Sequence, residues 1–196
     1  MLNNIEFDLW ANGYDKTVGI SDEENTYPFA GYKKVLGFIF QTIMRDKNAV
    51  VLDIGFGTGT LTTKLYERGC SIYGQDFSSR MIALASEKMP NAHLYQGDLS
   101  KGLVEPLRNF RYDYSVATYS LHHLTDAQKR DFLLDLRNYL KENGKIIIGD
   151  VAFETRTDLE LCTWRAGKTW DNDKNYFVVG ELSTDLPALS INPLYD

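Results

Sequence analysis

Three glycines alternate in the run Gly55-Phe56-Gly57-Thr58-Gly59, and Asp53 stands two residues before the first. Glycine lets the backbone bend sharply and lets a ligand approach with no Cβ in the way. The chemistry implied is close capture of a small ligand at a tight turn. Two acids further along extend the pattern. Asp76 can accept hydrogen bonds from both hydroxyls of a ribose, and Phe77 beside it can pack on an adenine face. Asp98, after Gly97, can accept an adenine amino group, with Leu99 alongside. His122 and His123 are adjacent imidazoles able to take a proton or touch a second reactant. Tyr14, Tyr27 and Tyr119 can form an aromatic wall for a cation.

These residues need a scaffold that gathers them, and the hydrophobic pattern supplies one. Ala49-Val50-Val51-Leu52-Asp53 is an apolar run of strand length ending in an acid, and Ser71 to Asp76 is a second. Ala92 to Gln96, Tyr112 to Tyr119 and Lys145 to Val151 complete five strands. Between them lie helical stretches: one after the glycine turn to about Arg68, with Gly69 as its cap, and one to about Met89, with Ser78 as its N-cap. A third is expected from Asp126 to Lys141, ending at Asn143-Gly144. Strands alternating with helices imply an α/β fold with a doubly wound, mainly parallel sheet and helices on both faces. Ligands bind such sheets at the carboxyl ends of the strands, near the switch in strand order. The glycine turn and the strand-end acids all fall there.

Upstream, residues 5–14 read as a short helix and 15–27 as a polar, acidic loop or lid. Pro28 suits the first turn of a helix to about Met44. Downstream, Thr157 to Trp170 reads as a helix, Asn175 to Val179 as a strand, and the last fifteen residues as irregular. The expected organisation is a single domain over 1–196: an N-terminal helical cap or lid (1–45), a core (46–152) and an abbreviated C-terminal tail (153–196).

The nature of the ligand turns on two residues. A dinucleotide fingerprint needs Gly or Ala where Thr60 stands, and it places a pyrophosphate near the helix N-terminus. Asp53 would set a negative charge beside those phosphates. A cation carrying a sulfonium and an amino group accepts that acid far better, which favours S-adenosylmethionine over NAD. Asp76 and Asp98 suit a nucleoside and do not choose between the two.

The segments Val51 to Gly59, Gly74-Gln75-Asp76-Phe77-Ser78, Gln96-Gly97-Asp98-Leu99, Tyr119 to Leu124 and Leu140 to Lys145 resemble, in order and spacing, successive motifs of class I S-adenosylmethionine-dependent methyltransferases. The likeness covers roughly 45–152, and more loosely Trp10 to Asp15. It is strongest to small bacterial methyltransferases of unassigned substrate. The resemblance implies that Gly55, Gly57 and Gly59 form the cofactor turn, that Asp53 binds the methionine part and Asp76 the ribose. It implies that Asp98 and Leu99 flank the adenine, with the backbone near Tyr119 close to the sulfonium. His123, His122 and Tyr14 are the candidate catalytic residues. The family usually adds two further strands, the last antiparallel, and no convincing final hairpin follows Ala152.

Composition narrows the partners. The chain has 196 residues and a net charge of −6, with 43% hydrophobic and 24% charged residues. That balance fits one soluble domain and opposes a general nucleic-acid binder, which needs a basic surface. No Asn-Pro-Pro-Tyr-like segment marks an amino-methylating nucleic-acid enzyme, so a small-molecule acceptor is expected. Cys70 and Cys162 have no metal-ligand spacing and read as free, buried thiols in a reducing cytoplasm. No metal, no membrane span and no signal peptide are expected, and the chain reads as a cytoplasmic monomer or homodimer. Two other readings stand beside the methyltransferase: a catalytically silent cofactor-binding protein, suggested by the tail, and an NAD-linked oxidoreductase.

Overall fold

The computed structural model describes residues 31–187 and 189–193. The expected helix 5–14, the loop 15–27, Tyr14, Tyr27 and the helix-opening Pro28 lie outside those residues.

Helix α1 (Tyr32–Ile43) presents Leu36, Ile39 and Ile43 on one buried face, the spacing of an amphipathic helix. Then strands and helices alternate: β1 (Val50–Ile54), α2 (Thr60–Glu67), β2 (Ser71–Asp76), α3 (Ser79–Lys88), β3 (His93–Gln96), the single turn α4 (Glu105–Arg108), β4 (Tyr112–Thr118), α5 (Asp126–Leu136) and β5 (Leu140–Gly149). The five strands form one sheet in the order β3-β2-β1-β4-β5, and every neighbouring pair is parallel. The doubly wound α/β sheet expected from the sequence is present.

Both faces of the sheet are covered, which explains the near-continuous apolar runs of its strands. On one face Val51 of β1 packs with Leu36 and Ile39 of α1, Leu61 and Leu65 of α2, and Ala85 of α3. On the other, Leu52 and Ile54 pack with Leu107 of α4 and with Phe132, Leu133 and Leu136 of α5. Strand alternation places Asp53 on the face of Val51, beneath α2. Strand order reverses between β1 and β4, so the crevice at their carboxyl ends is the place for a ligand.

Three boundaries differ from expectation. Helix α5 stops at Leu136, a short 3₁₀ turn follows (Arg137–Tyr139), and β5 opens at Leu140. The expected helix end at Lys141 to Gly144 is instead an irregularity within β5, where the register with β4 shifts between Tyr112 and Tyr114. A Cβ on Gly144 would lie 2.7 Å from the Tyr112 carbonyl oxygen, so pairing with β4 outcompetes helix continuation there. Second, the helix and the strand expected in the tail are present with shorter bounds, and a short strand and a helix are added to them. After β6 (Ala152–Phe153) and α6 (Arg156–Ala166), β7 (Phe177–Val178) pairs in parallel with β6, and α7 (Val179–Asp185) follows. Leu182 and Leu186, four residues apart, seat this end of the chain on the second core. Third, Cys70 is buried as expected, whereas Cys162 on α6 is only half-buried; both are free. No helix among the described residues is long and apolar enough to cross a membrane.

Candidate active site

The glycine turn leaves β1 with Gly55, Gly57 and Gly59 all at positive φ (71°, 57° and 79°), a conformation costly for any residue with a Cβ. Two of the three glycines are also pressed by the protein itself. A Cβ on Gly55 would lie 2.4 Å from the Ser120 Cβ, and one on Gly59 would lie 3.2 Å from the Met89 methyl. Ser120 is held in place by donating to the Ile54 carbonyl at 2.7 Å. The glycines therefore let the turn nest against the start of the β4 loop and against α3. Lys88, at the end of α3, steadies the turn by donating to the Thr58 carbonyl at 2.8 Å.

Beneath the turn, Asp53 is 1% exposed. One carboxylate oxygen accepts a hydrogen bond from Thr62 of α2. The other, Oδ1, is buried with no hydrogen-bond partner among the described residues. Burial pushes the Asp53 pKa up to about 7, against the lowering effect of Thr62 and with the nearby charge of Asp76. A buried carboxylate oxygen without a donor is costly and calls for a partner. An ammonium brought by a ligand supplies both the donor and the compensating charge. A pyrophosphate supplies neither.

Asp76 closes β2 and bridges back to the turn: Oδ2 accepts from the Gly57 N–H at 2.8 Å, and Oδ1 accepts from the Ser78 N–H at 2.9 Å. The structure thus brings Asp53, the glycine turn and Asp76 into one cluster at the carboxyl ends of β1 and β2. Ser78 caps α3 as expected, accepting from the Met81 N–H.

Across the switch point, β4 runs into Tyr119, Ser120 and a 3₁₀ turn over Leu121–His123. Tyr119 has φ 51°, unusual for a bulky residue and a mark of a constrained site. Its N–H donates to the Gly149 carbonyl at 2.7 Å, and its ring lies 5.2 Å from that of Tyr32.

The same architecture and motif order recur in known proteins. A methyltransferase-domain profile matches residues 51–144. An uncharacterized methyltransferase of Anoxybacillus flavithermus is 36% identical over 93% of this chain and 83% of its own length. The chain belongs to the methyltransferase family. A second relative, an uncharacterized methyltransferase of Alkaliphilus oremlandii, is 36% identical over 78% of this chain and 68% of its own. Among solved structures, the DhpI–SAM–HEP complex superposes with a TM-score of 0.65 at 21% identity, covering 93% of this chain and 84% of the other. The magnesium protoporphyrin IX methyltransferase of Synechocystis PCC 6803 with bound SAH gives 0.64 at 16% identity, over 96% and 77%. These two likenesses support the Rossmann-like fold.

In this methyltransferase Asp98 is already engaged. It caps the 3₁₀ turn Leu99–Lys101, accepting from the Ser100 N–H at 2.9 Å and the Ser100 hydroxyl at 2.6 Å. Partial burial alone would raise its pKa, but the Ser100 bonds and Lys101 outweigh it and hold the carboxyl below its ordinary value. Leu99 is half-buried against the second core. Gln75 fixes this segment on β2, donating to the Gly102 carbonyl and accepting from the Val104 N–H. Phe77 is half-buried, and its carbonyl accepts from the Gln96 side chain at 3.1 Å.

The two histidines occupy different environments. The His122 ring places Nδ1 2.6 Å from Asp150 Oδ1, and the His122 N–H donates to Asp150 Oδ2 at 3.2 Å. The tail lies over this point: the Asn175 N–H donates to the His122 carbonyl at 2.8 Å, and Tyr176 lies ring to ring with His122 at 5.9 Å. His123 instead meets Lys174, whose ammonium is 3.1 Å from Nδ1. Burial, with the neighbouring charges of His122 and Lys174, drives the His123 pKa down to about 2. Burial also lowers the Lys174 pKa, against the raising effect of Asp171, Asp150 and Asp173.

Sequence reading did not single out Thr62, Ser120, Asp150 or Lys174. Only Asp150 carried a usable signal: it ends a strand, the cue that picks out Asp53 and Asp76. Thr62, Ser120 and Lys174 matter through contacts that no local pattern announces.

Proposed function

We propose that this methyltransferase transfers a methyl group from S-adenosylmethionine to a small-molecule acceptor, and that it does so as one domain with 46–152 as the cofactor core. The observation that carries the reading is the orphaned, buried Asp53 Oδ1 beneath a positive-φ glycine turn. The donor is S-adenosylmethionine. It supplies an activated methyl on a sulfonium. Asp53 receives the donor's amino group, and Gly55, Gly57 and Gly59 let its methionine part lie against the backbone. Asp76 and Phe77 face the ribose and adenine, with Asp98 and Leu99 at the far end of the adenine pocket. Tyr119 presents the backbone and ring nearest the reacting centre.

Methyl transfer is an in-line displacement, so positioning of the acceptor supplies most of the acceleration. The acceptor enters on the β4–β5 side, where the His122–His123 turn and the tail residues Lys174 to Tyr176 meet. The chain's acidic balance, −6 overall, agrees with a small acceptor rather than nucleic acid.

The test has two parts. S-adenosylhomocysteine should raise the melting temperature while NAD does not. Labelled methyl from the cofactor should appear on a metabolite in a small-molecule extract. No thermal shift at saturating S-adenosylhomocysteine contradicts the reading, and binding without any methyl transfer would mark a silent cofactor-binding protein.

A further inference from the structure

We infer that Asp150 is a positioning residue that makes His122 the proton acceptor of the reaction. It follows that the acceptor attacks through a group still protonated near neutral pH: a hydroxyl, a thiol or an ammonium. The inference rests on the methyltransferase reading above.

The Asp150 side chain is 1% exposed and surrounded by donors. Oδ1 accepts from its neighbour Val151 N–H at 2.8 Å, Oδ2 from the His122 N–H, and the His122 ring nitrogen Nδ1 sits at 2.6 Å from Oδ1. A carboxylate only accepts, so the short contact requires Nδ1 to carry the proton. In the neutral ring the lone pair then resides on Nε2. No hydrogen bond is made by Nε2 among the described residues, and the side chain keeps 10% of its surface exposed. The arrangement fixes tautomer and orientation together, as an orienting acid does for a histidine base.

Location adds to this. Ser120, two residues before His122, touches the glycine turn at Gly55. Asp150 follows β5, the strand next to β4. The dyad therefore sits at the carboxyl ends of β4 and β5, beside the switch point where the methyl is presented. His123, next in sequence, is the poorer candidate: its ring faces the Lys174 ammonium.

A base is useful only when the nucleophile must shed a proton. Carboxylates are already ionised near neutral pH and thioethers have no proton to lose, whereas hydroxyls, thiols and alkylammonium groups retain theirs. The step balances as a displacement. The acceptor O–CH₃, S–CH₃ or N–CH₃ bond forms while the sulfonium S–CH₃ bond breaks and leaves its electron pair on that sulfur. The acceptor's proton passes to His122 Nε2 and then to water.

The chain has 3 histidines, so ¹⁵N-histidine labelling of the full-length protein gives a readable spectrum without any acceptor. The His122 signals should show Nδ1–H with an unprotonated Nε2, and Asp150→Asn should mix the tautomers. A His122 ring protonated on Nε2 alone would overturn the inference even if S-adenosylhomocysteine binds normally. Absence of S-adenosylhomocysteine binding would overturn the methyltransferase reading and this inference with it. In the extract assay, His122→Asn should slow labelled transfer by about 10²–10⁴-fold with S-adenosylhomocysteine affinity retained. Asp150→Asn should shift the pH profile of transfer. The labelled product should be a methyl ether, a thioether or a methylated amine. A methyl ester or a methylsulfonium product would overturn the assignment.

Discussion

The two halves of the crevice are built by different means. On the β1–β2 side, the groups that matter lie close in sequence and are set by backbone geometry: Asp53, three positive-φ glycines and Asp76, tied by a bond from the Gly57 N–H. On the β4–β5 side, His122 depends on Asp150, 28 residues away, and His123 on Lys174, 51 residues away. The first half is set by a glycine turn and strand-end acids. The second is a tertiary assembly whose partners come from the end of β5 and from the tail. This is why the cofactor is readable early and the acceptor late.

The largest effect expected is at Asp53. If Asp53 takes the cofactor's amino group as proposed, Asp53→Asn removes the charge facing it, and affinity for S-adenosylhomocysteine should fall by about 2–4 kcal/mol, on the order of 10²-fold. Isothermal titration reads this directly. Stability should move the other way. The folded-state pKa of Asp53, about 7, lies above its ordinary 3.8, so the folded chain holds this proton longer than the unfolded one. Its contribution to stability is fully present below about pH 4 and is lost as pH rises to about 7. The unliganded Asp53→Asn protein should therefore lack this part of the decline and, above about pH 7, melt higher than wild type, by an amount on the order of a few kcal/mol. Melting curves across that range check the sign, and a lower melting temperature for the variant would break the contrast between binding and folding roles.

Gly55→Ala tests whether the turn's glycines serve the fold as well as the ligand. The backbone at φ 71° alone should cost about 1–3 kcal/mol, and the contact with Ser120 adds to it. Combining it with Ser120→Gly should recover the steric part and leave the backbone part, a non-additivity that denaturant unfolding of the double-mutant cycle measures.

The corresponding test on the other half is Lys129→Met. Lys129 is 2% exposed, bonds to Asp126 and to the Asn175 carbonyl, and lies over the Phe177 ring at 4.5 Å. Removing its ammonium should loosen the tail by about 1.5–3 kcal/mol. Faster hydrogen exchange at the Asn175 N–H, which bonds His122, would show it. S-adenosylhomocysteine affinity should hold. The smallest effect belongs to Ser78→Ala, which removes the α3 cap and should cost about 1 kcal/mol, a fall of roughly 2–4 °C in melting temperature.

How far the sequence reached follows the same division. The order of strands and helices, the Ser78 cap and the cluster around Asp53 were readable because period, caps and glycines are local signals. The end of α5 was not, because pairing of Leu140 with Tyr112 is a tertiary event that overrides a helix-like stretch. In the tail the pattern showed a helix and a strand, which are α6 and β7, but not α7, whose Leu182 and Leu186 seat it on the distant core. For Asp98 the pattern marked an acid just past a strand, while the structure adds that Ser100 already occupies one of its oxygens. For the histidines it offered a pair, and only the three-dimensional partners distinguish a ring held by a carboxylate from one facing an ammonium.

Parallel calorimetric titrations of the full-length protein with S-adenosylhomocysteine and with NAD, near neutral pH, test the central claim most directly. The account predicts saturable binding of S-adenosylhomocysteine that Asp53→Asn weakens by on the order of 10²-fold, and no heat with NAD. Binding of NAD in place of S-adenosylhomocysteine, or S-adenosylhomocysteine binding indifferent to Asp53→Asn, would contradict it.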